Sequence, residues 1–339
     1  MQTLRIGMIG CGTVGTGVLD ILHRQKAQFE ALGFDVQLAG VLVRDASKPR
    51  ETCFPSAPLV TDPGFLTGVD VVIEVMGGVQ KPLDLVLPAL KAGKVVITAN
   101  KAMLAERWSE LKAYAKTGQL YYEAAVMAGT PVIDPLSGIL RSSQPIALQA
   151  ILNGTCNYIL TQMEQGKGYD EALKEAQDLG YAEADPTLDV GGFDAAHKLT
   201  VLARLAFDPD YPYADVTVRG IDTIPEHAVR DALANDQRIR LIGSIYPENG
   251  QWKARVAPRL LPMDHPIARA ASGRNAMVFF GEECGEIFVA GGGAGGAVTA
   301  SGVVGDLINH LQGILGPKPI ALAAKVPAAP FEDLPEVDL

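Results

Sequence analysis

The stretch Gly180–Phe207, GYAEADPTLDVGGFDAAHKLTVLARLAF, carries the carboxylates of Glu183, Asp185, Asp189 and Asp194 and a single lysine, Lys198. After Pro186 and the Gly191–Gly192 pair the composition changes, and Asp194 is placed to cap a helix running through His197, Lys198, Leu199, Val201, Leu202, Leu205 and Ala206. Asp194 and Lys198 then stand one helical turn apart. On an exposed helix such a pair contributes only about 0.2–0.5 kcal/mol. The turns around Lys198 are aliphatic on nearly every side, however, so the helix reads as largely buried and its lysine must be paired or shifted in pKa. A buried lysine beside a carboxylate is a candidate general acid.

A second set of residues is suited to binding rather than to proton transfer. GCGTVG, Gly10–Gly15, lies between the apolar run Leu4–Ile9 and a segment in which Val18, Leu19, Ile21 and Leu22 recur at helical spacing. That order is strand, glycine turn, helix. Gly10 permits the tight turn, Gly12 lets the backbone approach a pyrophosphate, and Gly15 allows the helix to pack on the strand. Thr13 and Val14 open the helix, whose N-terminus attracts the phosphates. The next strand, Val36–Val43, runs into Arg44, with Lys48 and Arg50 following. An acid there would suit the ribose 2′-hydroxyl of NAD(H), whereas an arginine suits a 2′-phosphate, so NADP(H) is favoured over NAD(H). Asp45, one residue further on, keeps NAD(H) open.

These residues need a scaffold, and the rest of the first half supplies it. Val69–Val75 reads as a buried strand ending in Met76–Gly77–Gly78, with Gly77 a candidate cofactor contact; Leu83–Leu90 reads as a helix and Val95–Thr98 as another strand. Strands alternating with helices predict an α/β, Rossmann-type, doubly wound parallel sheet. At the end of the last strand stands TANK, Thr98–Lys101, where such sheets place their ligands. A lysine at a helix start opposes the helix dipole, and a bound phosphate or carboxylate would offset that cost.

After a helix around Ser109–Thr117, the segment Tyr121–Leu136 takes the chain out of the nucleotide domain. Ile146–Ile151 reads as a strand, Leu152–Glu164 and Asp170–Leu179 as helices, and the latter delivers the Gly180 segment. The expected organisation is a Rossmann domain over 1–134, completed by a helix over 299–315, an α+β domain over 135–298 for substrate binding, catalysis and dimerisation, and a mobile Pro/Ala-rich tail over 317–339.

Composition narrows the class. With 339 residues, 48% hydrophobic and 20% charged, the chain has the makings of a two-domain globular protein. A net charge of −10, with Lys and Arg scattered singly, argues against a nucleic-acid surface. There is no charged n-region with a long apolar run behind it, and no apolar stretch long enough for a membrane span, so the expectation is a soluble cytoplasmic protein. Cys11, Cys53, Cys156 and Cys284 are widely spaced and read as reduced thiols, and the histidines at 23, 197, 227, 265 and 310 are isolated.

The order and spacing of GCGTVG at 10–15, TANK at 98–101, YEAAVMAGTP at 122–131, LNGTCNYIL at 152–160, GYAEADPTLDVGGFDAAHKL at 180–199, PMDHPIA at 262–268 and GGGAGGAVTAS at 291–301 resemble the homoserine dehydrogenase family over most of the chain. The resemblance implies NAD(P)H-dependent interconversion of L-aspartate 4-semialdehyde and L-homoserine, in the pathway to threonine and methionine. It makes Lys198 the proton donor and Lys101 a second active-site lysine, and gives the grip on homoserine to Glu183 and Asp194. It sets Gly180 and the Gly291–Gly296 stretch near the cofactor; Asp185 and Asp189 are read as structural residues that shape the loop. It also implies a monovalent cation, Na⁺ or K⁺, held by Glu123 and the carbonyls of Val126, Ala128 and Thr130, and a homodimer formed through the second-domain sheet. The commoner bacterial pattern continues into a regulatory amino-acid-binding domain; this sequence is expected to lack it, and with it feedback inhibition by threonine. The rival readings are another amino-acid or semialdehyde oxidoreductase of the same architecture and a non-catalytic NAD(P)-binding sensor. An aspartate semialdehyde dehydrogenase would need a catalytic cysteine, for which Cys156 is the only candidate.

Overall fold

Apolar runs bounded by glycine turns build the first sheet. The computed structural model describes residues 1–50, 52, 54 and 57–337; Cys53 lies outside them. β1 (Gln2–Ile9), β2 (Phe34–Leu42), β3 (Leu59–Val60), β4 (Val71–Glu74), β5 (Val95–Thr98) and β6 (Leu120–Tyr121) form a sheet of order β3-β2-β1-β4-β5-β6. Every pair in it is parallel. The chain steps outward from β1 on one side and returns to β4 on the other, so the order reverses between β1 and β4, the switch point at which open α/β sheets bind ligands. Ile6, Met8, Val71, Ile73 and Ile97 fill the core with Val18 and Leu19 of the first helix, Thr13–Arg24.

The second sheet is mostly antiparallel. β7 (Pro145–Ile151), β8 (Thr217–Val218), β9 (Gln237–Glu248), β10 (Gln251–Pro262), β11 (Arg274–Gly281) and β12 (Gly285–Gly292) lie in the order β12-β11-β7-β9-β10-β8. The helices Gly154–Glu164 and Phe193–Ala206 pack on this sheet. On that side, a Cβ at Gly243 of β9 would lie 3.1 Å from both Leu152 and Leu199, so glycine lets these side chains pack close against the strand.

The chain divides into two units: Met1–Asp134 with Gly295–Pro319, and Pro135–Ala294 with the residues from Ile320 onward. The returning helix of the first unit is Gly296–Leu311, offset from the expected 299–315, and its Val303, Val304 and Leu307 join the nucleotide-unit core. The expectation of a mobile tail is corrected. Asp333 pairs with Arg259 of β10 at 2.8 Å and accepts from Gln149 of β7 at 2.8 Å and Ser244 of β9 at 3.0 Å. The Trp252 indole donates to the Ala324 carbonyl at 3.0 Å, and Glu336 pairs with Arg255. The strand-borne arginines Arg255 and Arg259 explain why an acidic segment is held. Among the described residues no helix is long and apolar enough to cross a membrane.

Candidate active site and cofactor cradle

The helix bearing Lys198 runs Phe193–Ala206, and its N-cap is Gly192 in the left-handed conformation, φ 84°. Asp194 therefore sits inside the first turn and is not the cap. Gly192 takes that position because its backbone turn favours a residue without Cβ, and Asp194, freed from capping, turns to Lys198. Its Oδ2 accepts from Lys198 Nζ at 2.6 Å, with both side chains nearly buried, at 12% and 10% exposure. Lys198 Nζ donates again to the Leu152 carbonyl at 2.8 Å. An ammonium has three donors, so one remains for an incoming oxygen.

Asn153, which the sequence reading passed over, joins the site together. Its Oδ1 caps the helix Gly154–Glu164 by accepting from Cys156 N at 2.8 Å. Its Nδ2 donates to Asp189 at 2.7 Å and to Asp194 at 2.9 Å. The usable signal was N-G directly ahead of an apolar helix, which marks an asparagine N-cap. Asp189 thus belongs to the same network as Asp194, whereas Asp185 only turns its own loop, accepting from Thr187 N at 3.1 Å and Oγ1 at 2.6 Å. Those bonds hold the Asp185 carboxyl below its usual range. Cys156 is buried and donates to the Asp189 carbonyl at 3.1 Å; burial pushes its thiol well up, with Asp189 adding to the effect, so it is no nucleophile.

Glu183 is exposed on the loop, and among the described residues its carboxylate is not part of the Lys198 network. Gly180 has φ 76° and ends the helix Tyr169–Asp178, with Gly180 N bonding to Gln177 O at 3.0 Å and Tyr181 N to Ala176 O at 2.8 Å. That is a Schellman stop, which accounts for the glycine by itself. Packing likewise accounts for part of the Gly291–Gly296 stretch: a Cβ on Gly293 would lie 2.4 Å from Asn275 Oδ1, and one on Gly296 would lie 2.6 Å from Thr13 O.

The nucleotide unit fits a dinucleotide. Gly10 has φ 101°, and a Cβ on Gly15 would lie 2.6 Å from the Gly10 carbonyl, so turn and helix close tightly on each other. At Gly12 the Cβ position is open space, and the helix it precedes, beginning with Thr13 and Val14, has no side-chain cap on its N-terminal amides. An anion is the natural partner for such amides. After β2, Arg44 is exposed, while Asp45 is occupied by Ser47, accepting from its N at 2.8 Å and Oγ at 2.7 Å. Arg50 reaches back to the Cys11 carbonyl at 3.3 Å.

At the far side of the switch point, Gly77 and Gly78 both have positive φ, 74° and 83°, with open space where a Cβ would stand. Asn100 caps the helix Lys101–Glu106 through Met103 N at 3.0 Å and donates to the Gly78 carbonyl at 2.8 Å. Lys101 is half-buried at the first position of that helix.

Glu123 is buried, its carboxylate accepting from Val132 N at 2.7 Å, Ile133 N at 3.0 Å and Asp134 N at 2.6 Å. Burial pushes its carboxyl up to about 7. The loop through Val126 and Thr130 includes Met127 and Ala128, both with φ 57°, a conformation that side chains with a Cβ rarely adopt.

The profile described as homoserine dehydrogenase matches residues 131–308, and that of the homoserine dehydrogenase NAD binding domain matches residues 10–124. The chain belongs to the homoserine dehydrogenase family. It is 41% identical over 320 residues to the homoserine dehydrogenase of Bacillus subtilis, covering 92% of this chain and 74% of that one. The crystal structure of a homoserine dehydrogenase from Thiobacillus denitrificans superposes with a TM-score of 0.86 at 36% identity, covering 92% of this chain and 74% of that one. A hyperthermophilic archaeal homoserine dehydrogenase in complex with NADPH gives a TM-score of 0.76 at 25% identity, covering 94% and 100%. The activity is that of an NAD(P)-dependent homoserine dehydrogenase, which interconverts L-aspartate 4-semialdehyde and L-homoserine in threonine and methionine biosynthesis, and its cofactor is a nicotinamide dinucleotide.

Proposed function

We propose that Lys198 is the proton donor of this homoserine dehydrogenase. The observation that carries the reading is the Lys198 ammonium held by Asp194 Oδ2 and the Leu152 carbonyl, at 2.6 and 2.8 Å, with one donor to spare. When bound, the nicotinamide exchanges a hydride with the carbon of the substrate's aldehyde or alcohol. As negative charge gathers on the substrate oxygen, the spare donor of Lys198 stabilises it and then yields the proton. Asp194 holds the lysine in place, and Asn153 and Asp189 hold Asp194 in place. Glu183 and Asp194 receive the substrate's amino end, and Lys101 is the second active-site lysine, facing a phosphate or carboxylate.

NADP(H) is the favoured cofactor. Support comes from exposed Arg44 beside an Asp45 already engaged by Ser47, and from the archaeal relative's complex with NADPH. Gly10, Gly12, Thr13, Val14 and Gly15 carry the pyrophosphate, with Gly77 and Gly180 as further cofactor contacts. A monovalent cation, Na⁺ or K⁺, is assigned to Glu123 and the carbonyls of Val126, Ala128 and Thr130, in keeping with oxygen-only donors and the strained Met127–Ala128 backbone. The working form is a cytoplasmic homodimer; exposed Phe288 on the edge strand β12 is apolar surface that a second copy would cover. The deciding experiment follows homoserine oxidation spectrophotometrically with NADP⁺ and with NAD⁺, using the wild type and Lys198→Ala. Turnover by the wild type, lost in the variant with NADPH binding intact, is the expected result; a variant that turns over normally sinks the assignment.

A further inference from the structure

Glu74, the last residue of β4, has no exposed surface and yet is an acid. Its Oε1 accepts from Met76 N at 2.8 Å and its Oε2 from Thr98 Oγ1 at 2.6 Å. Thr98 Oγ1 in turn accepts from Asn100 N at 3.0 Å, so the hydroxyl proton is directed at Glu74. Asn100 closes the ring by donating to the Gly78 carbonyl. One carboxylate thereby ties the Met76–Gly78 turn after β4 to the Thr98–Lys101 segment after β5. Burial pushes the Glu74 carboxyl up, and donors from Thr98, Met76, Asn100 and Gly77 pull against that rise.

The position of this acid in the sheet gives it a second consequence. The glycine turn follows β1, and Arg44 follows β2 on one side of it; a dinucleotide with its pyrophosphate on the first and its adenosine ribose on the second must extend the other way, over β4 and β5. The nicotinamide half then lies over the end of the strand that carries Glu74. NADP⁺ and NADPH differ there by one positive charge on the ring. Both carboxylate oxygens act as acceptors here, which a glutamine amide cannot reproduce, and the negative charge that comes with them distinguishes the two oxidation states.

We propose that Glu74 is a charge-setting residue of the cofactor site, whose buried carboxylate holds the two cofactor-facing segments together and favours the oxidised over the reduced nicotinamide. The inference rests on the reading that the first unit carries the dinucleotide in this direction. It biases the enzyme-bound equilibrium toward NADP⁺ and homoserine, the biosynthetic direction. A unit charge within about 10 Å, at an effective dielectric of about 20, changes relative affinity roughly tenfold.

The test is the ratio of the dissociation constants of NADP⁺ and NADPH, measured on the whole protein at mildly alkaline pH from NADPH fluorescence and its displacement by NADP⁺. In Glu74→Gln the ratio is expected to rise roughly tenfold, almost wholly through weaker NADP⁺ binding. Glu74→Asp, which keeps the charge, is expected to hold the wild-type ratio even where both affinities fall. Equal loss for both forms in Glu74→Gln, or no change, overturns the proposal and leaves Glu74 a structural link. Should Glu74→Gln not fold, the double variant Glu74→Met/Thr98→Val, which removes acceptor and donor together, is read by the same ratio. A wild type that binds neither nucleotide overturns the cofactor reading itself, and the proposal with it.

Discussion

Asn153 Nδ2 donates to Asp194 at 2.9 Å from a residue whose own oxygen caps the helix that follows it. A helix start and a catalytic carboxylate are thereby fixed by one side chain. The orientation of Asp194, and through it of Lys198, depends on where the helix Gly154–Glu164 begins.

The two halves of that amide are separable by substitution. Asn153→Asp keeps a capping oxygen but replaces the donor with a charge facing Asp189 and Asp194, so kcat is expected to fall by about 10²-fold and the like-charge contact to lower the melting temperature. Asn153→Ala loses the cap as well, at about 1 kcal/mol, and both kcat and melting temperature should drop. Equal activity in Asn153→Asp and the wild type would remove Asn153 from the site.

Removing the ammonium itself is the severest change. Lys198→Ala is expected to lower kcat by about 10²–10⁴-fold, the range for a lost general acid. The NADPH dissociation constant should stay within about twofold, since Lys198 contributes nothing to the glycine-turn contacts that dominate cofactor binding. Stopped-flow hydride transfer with saturating homoserine separates these two effects.

Cofactor choice is read at Arg44. Arg44→Ala is expected to raise KM for NADP⁺ by roughly tenfold, the value of one charge-assisted contact to a phosphate, and to leave KM for NAD⁺ unchanged. Parallel assays with the two cofactors give the ratio, and an equal loss for both would show that Arg44 does not meet a 2′-phosphate.

The thiol at Cys156 gives a prediction in pH. Its folded pKa lies well above the ordinary 9.0, so the folded protein keeps a proton that the unfolded chain releases. The stabilisation from this group is complete below 9.0 and is lost as pH rises toward the folded value. Iodoacetamide at mildly alkaline pH should therefore leave native Cys156 unlabelled by peptide mapping, label it in urea, and leave native activity intact. Rapid native labelling with loss of turnover would restore the cysteine mechanism.

The glycine turn, the helix start at Lys101 and the Asp194–Lys198 pair were legible because each rests on neighbours within a turn or two of chain. The strands β9 to β12 were not. In β9 the residues Arg238 and Arg240 alternate on a face that meets Glu164, at 3.0 and 2.6 Å, so charge stands where a strand pattern would show an apolar side. The partner is more than seventy positions away, and no local pattern announces it. Glu74 escaped notice for a related reason: within VVIEV it reads as an interruption of an apolar strand, and its donors come from the ends of two strands. Asp194 as a cap was a reasonable inference from residue type, overruled by Gly192, whose left-handed conformation moves the helix start.

The ordered tail can be tested directly. Asp333→Ala leaves Arg259, whose side chain is 5% exposed, with only the longer pairing to Glu336 at 3.4 Å and strands the Gln149 and Ser244 donors. A loss of about 3 kcal/mol is expected, discounted for the partial exposure of Asp333, and should appear as a lower melting temperature with NADPH affinity unchanged. A variant as stable as the wild type would show that the segment rests on the sheet without supporting it.

Because the first unit takes back residues 295–319 and the second takes back those from Ile320 onward, each is finished only by chain made late. Ribosomal synthesis delivers β1 to β6 long before Val303, Val304 and Leu307 arrive to complete their core. A nascent chain halted before Gly295 already holds every buried residue of the second unit's cluster, Ile151 to Val278, but lacks the helix residues that close the first unit's core. The nucleotide unit, begun first along this stretch, is not the first whose core cluster is filled.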